Sequence, residues 1–433
     1  MPTAVVLGGG LSGLMAASTL SQSGFRTLLL EKDHALGGLA SSYLVNGEYI
    51  PKTYHHVMHG DLTTLKTIRN LGLENELYWR KLRVGFHSKG RSYDFSSSLS
   101  ILRFKPLSIC GRIKFGFLVF EARRKRNWRE LEGASVEEYC KDKVGEEAYK
   151  LVDYIVRAKF AEPPNNVSAA WLMSRFGHES KSVSNRFGYL KGGVERIIKG
   201  LVARCVENNG IVRTATEVSR IKTKAGKVSG IEYEDKGKTK EIDTDIIVST
   251  LPIPEFLKVV EDLPYGYRAS LEKIRYKSSL CAAIALSERI SPYYWLNVMD
   301  LEKYPFVGVF EHGHLNAELR CPSVIFAVKY LDSSNRFWHE SDREIVEDFL
   351  LHLGTLFDCD VKERTLWWRL HRAEYSTPLF VPNYGDNMPE AESPVGGLFI
   401  GGISRTYPED RYMGTALQTG AEAAQAALLS RGE

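Results

Sequence analysis

Six cysteines are spread over 433 residues, and no two of them stand as Cys-x-x-Cys. That spacing offers nothing to a zinc ribbon or a thioredoxin-type dithiol. Scattered single cysteines suit a reducing compartment, where most act as small buried hydrophobes. No uninterrupted apolar run approaches the roughly 18 residues that a spanning helix needs. Met1 leads straight into a strand and a glycine turn, without the basic start and long apolar stretch of a signal peptide. Neither charge sign prevails: 57 Lys and Arg against 53 Asp and Glu leave +4, which is no footprint for nucleic acid. Repeats and low-complexity tracts are absent too. The expectation is a cytoplasmic chain, not integral to a membrane, long enough for two domains and of unspecified oligomeric state.

What is present is concentrated in the first forty residues, TAVVLGGGLSGLMAASTLSQSGFRTLLLEKDHALGG. Ala4 to Leu7 reads as a fully buried parallel strand. Gly8, Gly10 and Gly13 follow at G-x-G-x-x-G spacing, Leu14 to Ser23 as a helix closed by Gly24, and Thr27 to Leu30 as a second strand. Glu31 stands 31 − 13 = 18 residues past the last glycine, at the tip of that strand. Gly8 permits the tight turn, Gly10 admits a pyrophosphate to the backbone, and Gly13 lets helix and sheet approach. The helix N-terminus, with Leu11 and Ser12, presents N–H groups and positive dipole to phosphate. Glu31 accepts from ribose hydroxyls and disfavours a 2′-phosphate, with Lys32 beside it. One G-x-G-x-x-G would be weak; strand, turn, helix, strand and acid in order form a dinucleotide-binding unit.

A second glycine pair follows in EKDHALGGLASSY. Here the chain resembles the flavoprotein superfamily of amine oxidases, protoporphyrinogen oxidases, phytoene desaturases and UDP-galactopyranose mutases. The resemblance implies that Gly37, Gly38, Leu39, Ser41 and Ser42 continue an FAD site. It recurs in FGYLKGGVERIIKGLVARCVENNGIVRTATEVSRI, where Gly192 and Gly193 open a helix and Val218 matches a backbone contact to adenine. DIIVSTLP resembles the strand beside the pyrophosphate and adds Thr250. In the closing segment, Gly401, Gly402, Met413, Gly414, Thr415 and Ala416 match positions beneath the isoalloxazine. The implied fold is α/β: a Rossmann-type, glutathione-reductase-like FAD-binding domain from residues 1–60, 185–255 and 394–433, with an inserted mixed α+β substrate domain from 61–184 and 256–393. Within the latter, Cys281 to Leu286 and Val324 to Tyr330 read as strands and Arg343 to Leu353 as a helix. The closing segment from Gly396 to Glu433 holds no cysteine, so FAD is expected to be non-covalent.

Catalytic candidates come from YIPKTYHHVMHGD. His55, His56 and His59 with Asp61 form a poor metal set, and no metal is expected. HVMH resembles the HIFH loop of UDP-galactopyranose mutases, which implies that His56 and His59 lie against flavin, placed to hydrogen-bond it or move a proton. Arg405 and Arg411 read either as binders of an anionic substrate or of the flavin phosphates, or as surface ion pairs with Glu409 or Asp410. Trp367, Trp368, Tyr375 and Tyr384 are candidates for a pocket wall, though such aromatics are more often core. Residues 103–129 mix Lys and Arg with Phe and Leu; the favoured reading is a helix with its apolar side in the substrate domain and Arg123 to Arg126 solvated, the other a peripheral contact with an anionic membrane. The resemblance implies an FAD-dependent oxidoreductase that passes hydride from a small-molecule substrate to flavin N5. Its rivals are a redox-neutral sugar-nucleotide mutase and a non-enzymatic protein like the GDP-dissociation inhibitors.

Overall fold

A computed structural model describes residues 3–125, 127–180, 186–235 and 237–430. Strands covered on both faces must be apolar throughout, and four of the five residues of the first strand are buried. β1 (Thr3–Leu7), α1 (Leu11–Gln22) and β2 (Arg26–Leu30) form the opening βαβ unit. Three middle helices follow, α2 (Ile109–Arg124), α3 (Val136–Phe160) and α4 (Ala169–Ser180). β3 (Ile211–Arg213), β4 (Ile246–Ser249), β5 (Leu398–Ile400) and α5 (Met413–Leu429) complete the elements that shape the site.

The five strands pair in parallel in the order β5-β4-β1-β2-β3. Because all run one way, their carboxyl ends share an edge. There the chain leaves β1 at Gly8, β2 at Glu31, β4 at Thr250 and β5 at Gly401. α1 and α5 lie side by side on the sheet, closer than side chains allow. A Cβ on Gly13 would stand 1.8 Å from the Gly8 carbonyl oxygen, and one on Gly420 2.0 Å from that of Ser12.

A second, seven-stranded mixed sheet takes residues 365–378, 276–286, 323–331, 308–311, 295–298, 84–88 and 91–94 in that order. Its one parallel pair is 295–298 with 84–88. The expected strands fall within Tyr276–Leu286 and Ser323–Leu331, and the expected helix within Asp342–Phe357. The architecture is a mixed α/β fold with a parallel sheet. The expected boundary residue Asn185 lies outside the described residues.

Residues 103–129 contain the expected helix with an apolar side buried, and carry a second apolar side that the expectation did not include. α2 buries Gly111, Phe115, Leu118 and Ala122, with Phe115 ring to ring with Phe176 of α4 at 5.7 Å. Its opposite side, Ile109, Ile113, Phe117 and Phe120, is also apolar but exposed. Arg123 and Arg124 are solvated; Arg126 lies outside the described residues.

Candidate functional site

A cavity of about 690 Å³ opens at the carboxyl edge of the parallel sheet, within the range of small-ligand and cofactor sites. The turn out of β1 forms one end. Gly8 has φ +97°, a conformation that side chains resist. Gly10 is different: its backbone is ordinary (φ −69°, ψ 176°), and a Cβ placed on it meets no atom within 4 Å. Nothing among the described residues demands glycine at this position, and the space in front of it opens into the cavity. Gly10 also caps α1 without a side chain, so the first-turn N–H groups receive no side-chain acceptor from their N-cap residue. α5 begins at the same cavity, again without a side-chain cap from its N-cap residue Tyr412. The α1 end faces the space uncompensated, whereas at α5 the Asp61 carboxylate takes up the first-turn Gly414 N–H.

Glu31 closes this end. Its carboxylate accepts from the Gly9 N–H at 2.5 Å and the Asp33 N–H at 2.9 Å. Burial pushes the carboxyl above its ordinary value, against the pull of those two donors. The acid thus tethers the glycine turn while presenting an edge to the cavity. Open glycine, a helix N-terminus and a positioned acid fit a dinucleotide.

Of the residues singled out from sequence, Gly8, Gly10, Leu11, Ser12, Glu31, Lys32, Gly37, Gly38, Leu39, Val218, Thr250, Gly402, Met413 and Ala416 line this cavity. Gly13, Ser41, Ser42, Gly401, Gly414 and Thr415 do not. Gly13 abuts Gly8, and Gly414 abuts Asp61, whose carboxylate accepts from the Gly414 N–H at 3.2 Å. The Thr415 hydroxyl donates to the carbonyls of Asp410 and Tyr412. Gly401 donates its N–H to the Ser249 carbonyl in β4; Ser41 is buried, and Ser42 begins the strand Ser42–Val45. Ser12 lines the cavity, but its hydroxyl donates to the Ala416 carbonyl at 2.5 Å, binding α1 to α5.

The histidine assignment is corrected. His56 turns away from the cavity: its Nδ1 bonds the Tyr294 hydroxyl at 2.9 Å and its ring packs edge-on to Phe187. His59 stacks on Trp79 with ring centroids 3.6 Å apart. The residue that lines the cavity is His55. The two neighbouring rings thus have different surroundings, His55 at the cavity and His56 among Tyr294 and Phe187. His55 Nδ1 lies 2.9 Å from the Thr53 carbonyl, which can only accept. That nitrogen therefore carries the proton and Nε2 keeps its lone pair. Burial, opposed by that bond and aided by Arg411, brings the His55 pKa down to about 4.

Arg411 also lines the cavity and is no surface ion pair. Its guanidinium donates to the Tyr330 hydroxyl at 3.0 Å, while its Nε is buried without a partner among the described residues. Behind it, Asp410 is held by Lys159 at 2.9 Å and Arg175 at 3.3 Å. Burial opposes ionisation of Asp410, but the two cations prevail and hold its pKa down to about 2. Arg405 is structural, donating to the Pro389 carbonyl at 3.1 Å and pairing with Glu422 at 3.4 Å. Of the aromatic candidates only Tyr375 lines the cavity. Tyr384 is fully buried, its hydroxyl donating to the Ser404 carbonyl, and Trp367 and Trp368 pack against the hydrophobic cores.

Lys52 and His371 line the same wall and had no signal of their own in the sequence. Buried histidines are numerous here: burial takes His371 to about 4, as it does His55, and takes His56 and His312 to about 3. Unfolded, each would titrate near 6.5. Unfolding therefore binds protons below that value, and stability should fall as pH is lowered from 6.5 toward 4. Melting temperatures taken through this interval test it; a flat profile would mean these rings bind no extra protons on unfolding.

The family model for flavin-containing amine oxidoreductases matches residues 11–428. Amine oxidase [flavin-containing] B of Bos taurus is 33% identical over 102 residues, 22% of this chain and 18% of that protein. Pseudooxynicotine dehydrogenase of Pseudomonas sp. is 24% identical over 243 residues, 52% of this chain and 47% of that protein. The chain thus spans less than half the length of the curated relatives it matches. The crystal structure of an oxidoreductase from Methanosarcina mazei superposes with a TM-score of 0.76 at 20% identity, covering 99% of this chain and 100% of that one.

Proposed function

The chain belongs to the flavin-containing amine oxidoreductase family, and on that premise we propose that it is an enzyme that holds FAD non-covalently and oxidises a small-molecule substrate. The observation that carries this reading is Gly10: an unstrained glycine at a helix N-terminus whose Cβ would enter only the cavity. The dinucleotide end is read as glutathione-reductase-like, with Gly8, Gly10, Leu11, Ser12 and Thr250 at the pyrophosphate, Glu31 and Lys32 at the adenosine ribose and Val218 at the adenine. Bound FAD would supply the acceptor for two electrons, arriving as hydride at N5.

The remaining roles fall to the far wall. His55 offers a lone pair in its neutral form and is suited to hold a substrate proton. Arg411, a cation on the cavity wall, is suited to orient a substrate through an anionic or strongly accepting group. The mutase alternative rested on His56, His59 and the arginines near the C-terminus; the fold engages both histidines and Arg405 elsewhere, Arg411 alone lines the cavity, and a family of amine oxidoreductases does not favour that reading. The non-enzymatic alternative gains no support from a family of oxidoreductases.

Purified protein should carry about one FAD per chain, released intact by acid or heat. Glu31→Ala removes a ribose acceptor and the tether of the glycine turn, and should weaken FAD binding by about 1–3 kcal/mol. Titrating FAD into the two apoproteins decides; equal affinities would contradict the assignment of Glu31 to the ribose.

A further inference from the structure

We propose that α2 and the short helix before it, Ser98–Leu102, dock this protein onto the surface of an anionic lipid bilayer. Among the described residues fourteen large hydrophobic side chains are exposed, and six of them, Leu99, Leu102, Ile109, Ile113, Phe117 and Phe120, fall within this one stretch. Single exposed hydrophobes need no explanation, but a cluster does. On α2 the four stand at i, i+4, i+8 and i+11, one continuous stripe opposite the face that carries Gly111, Phe115, Leu118 and Ala122 into the core. Ile109 is 72% exposed and Phe117 67%, so no part of the described fold covers the stripe. Arg112 ties the two helices together, its guanidinium donating to the Leu102 and Leu107 carbonyls.

Charge identifies the occupant. Arg103, Lys105, Lys114, Arg123 and Arg124 are exposed in and beside the stripe and have no ion-pair partner among the described residues. The neighbouring acids are engaged: Glu121 pairs with Lys143 at 3.0 Å, Glu130 with Lys125 at 2.8 Å, and Glu147 accepts from Ser108. Arg124 sits over the Phe120 ring at 4.9 Å, a cation and an aromatic at one level. An exposed apolar helix stripe, fringed by free cations, matches an acyl boundary below phosphate headgroups. Among the described residues no helix is long and apolar enough to cross a membrane, so the contact is with one leaflet. The platform rests on α4, whose Arg175 and His178 back Asp410 and Tyr412 at the cavity. The inference nonetheless stands on the surface alone and does not require any reading of the cavity.

The test is co-sedimentation of the full chain with vesicles of phosphatidylcholine alone and of phosphatidylcholine mixed with phosphatidylglycerol. Binding to the mixed vesicles, weakened by salt and much poorer on phosphatidylcholine alone, is expected. The double substitution Phe117→Asp with Phe120→Asp should lower the partition coefficient tenfold or more, on the order expected for losing two buried apolar anchors, at an unchanged melting temperature. Arg123→Glu with Arg124→Glu should lower it on mixed vesicles by about fivefold or more per cation. The proposal is overturned if the native chain stays in the supernatant with both vesicles, or if the Phe double variant sediments as the native chain does. It is equally overturned if the Phe substitutions turn a dimer into a monomer while neither form binds vesicles, because a second copy would then be what covers the stripe.

Discussion

Alanine at position 55 is expected to slow anaerobic reduction of the bound flavin by roughly 10²–10⁴-fold, the usual effect of removing a general acid or base, with flavin content near that of the native chain. The expectation rests on placement. His55 lines the cavity, its Nδ1 is fixed by the Thr53 carbonyl, and its Nε2 makes no hydrogen bond among the described residues. Burial brings its pKa down to about 4, so the ring is neutral at ordinary pH and Nε2 carries a lone pair. His56→Ala is the control, and it should behave in the opposite way. That ring bonds Tyr294 at 2.9 Å and packs on Phe187, so its loss should cost about 1–3 kcal/mol of stability and leave the rate of reduction nearly unchanged. Stopped-flow reduction, with whichever of a panel of neutral and carboxylate-bearing amines reduces the native flavin fastest, separates the two. A normal rate for His55→Ala beside a slow His56→Ala would reverse the assignment.

Gly13→Ala should fail before any ligand is added. Its Cβ would lie 1.8 Å from the Gly8 carbonyl oxygen and 2.9 Å from Thr250 Oγ1. Both belong to packed sheet edge, so the whole of α1 must shift, and with it the contact to α5 through Ser12. A backbone clash of this kind belongs to the upper range of overpacking, about 3 kcal/mol or more. The apoprotein should melt well below the native one or be recovered insoluble. A melt indistinguishable from native would contradict the close approach of α1 to β1.

The glycine unit was legible because each of its positions answers to a local constraint. Turn, close approach and acid fall at fixed spacing, and the parallel strands that carry them are apolar on both faces. Side-chain direction was not legible in the same way. Whether His55 or His56 enters the cavity depends on how an irregular segment packs, and three histidines close together in sequence do not reveal it. Arg411 was visible as a candidate, but the cations behind it come from Lys159 on α3 and Arg175 on α4, more than two hundred residues away. Ser12 and Thr415 illustrate a further limit: a hydroxyl in a binding motif can be engaged by the protein's own carbonyls. α2 was legible only in part, for a related reason. A helix apolar on two opposite sides has no amphipathic signature, and only the packed fold shows which side remains exposed.

FAD titration of the Gly10→Ala apoprotein tests the central claim most directly, because at this position protein and ligand make separate demands. The backbone there accepts an L-residue and the added methyl meets no protein atom within 4 Å. A poorer N-cap, by up to about 1 kcal/mol, is offset by about 0.4–1 kcal/mol from a stiffer unfolded chain. The apoprotein should therefore melt close to native, while FAD affinity falls about 5- to 150-fold, the equivalent of 1–3 kcal/mol of overpacking against the dinucleotide. Native affinity for FAD in Gly10→Ala would contradict the account, since the space before Gly10 would then not be the place where the cofactor lies.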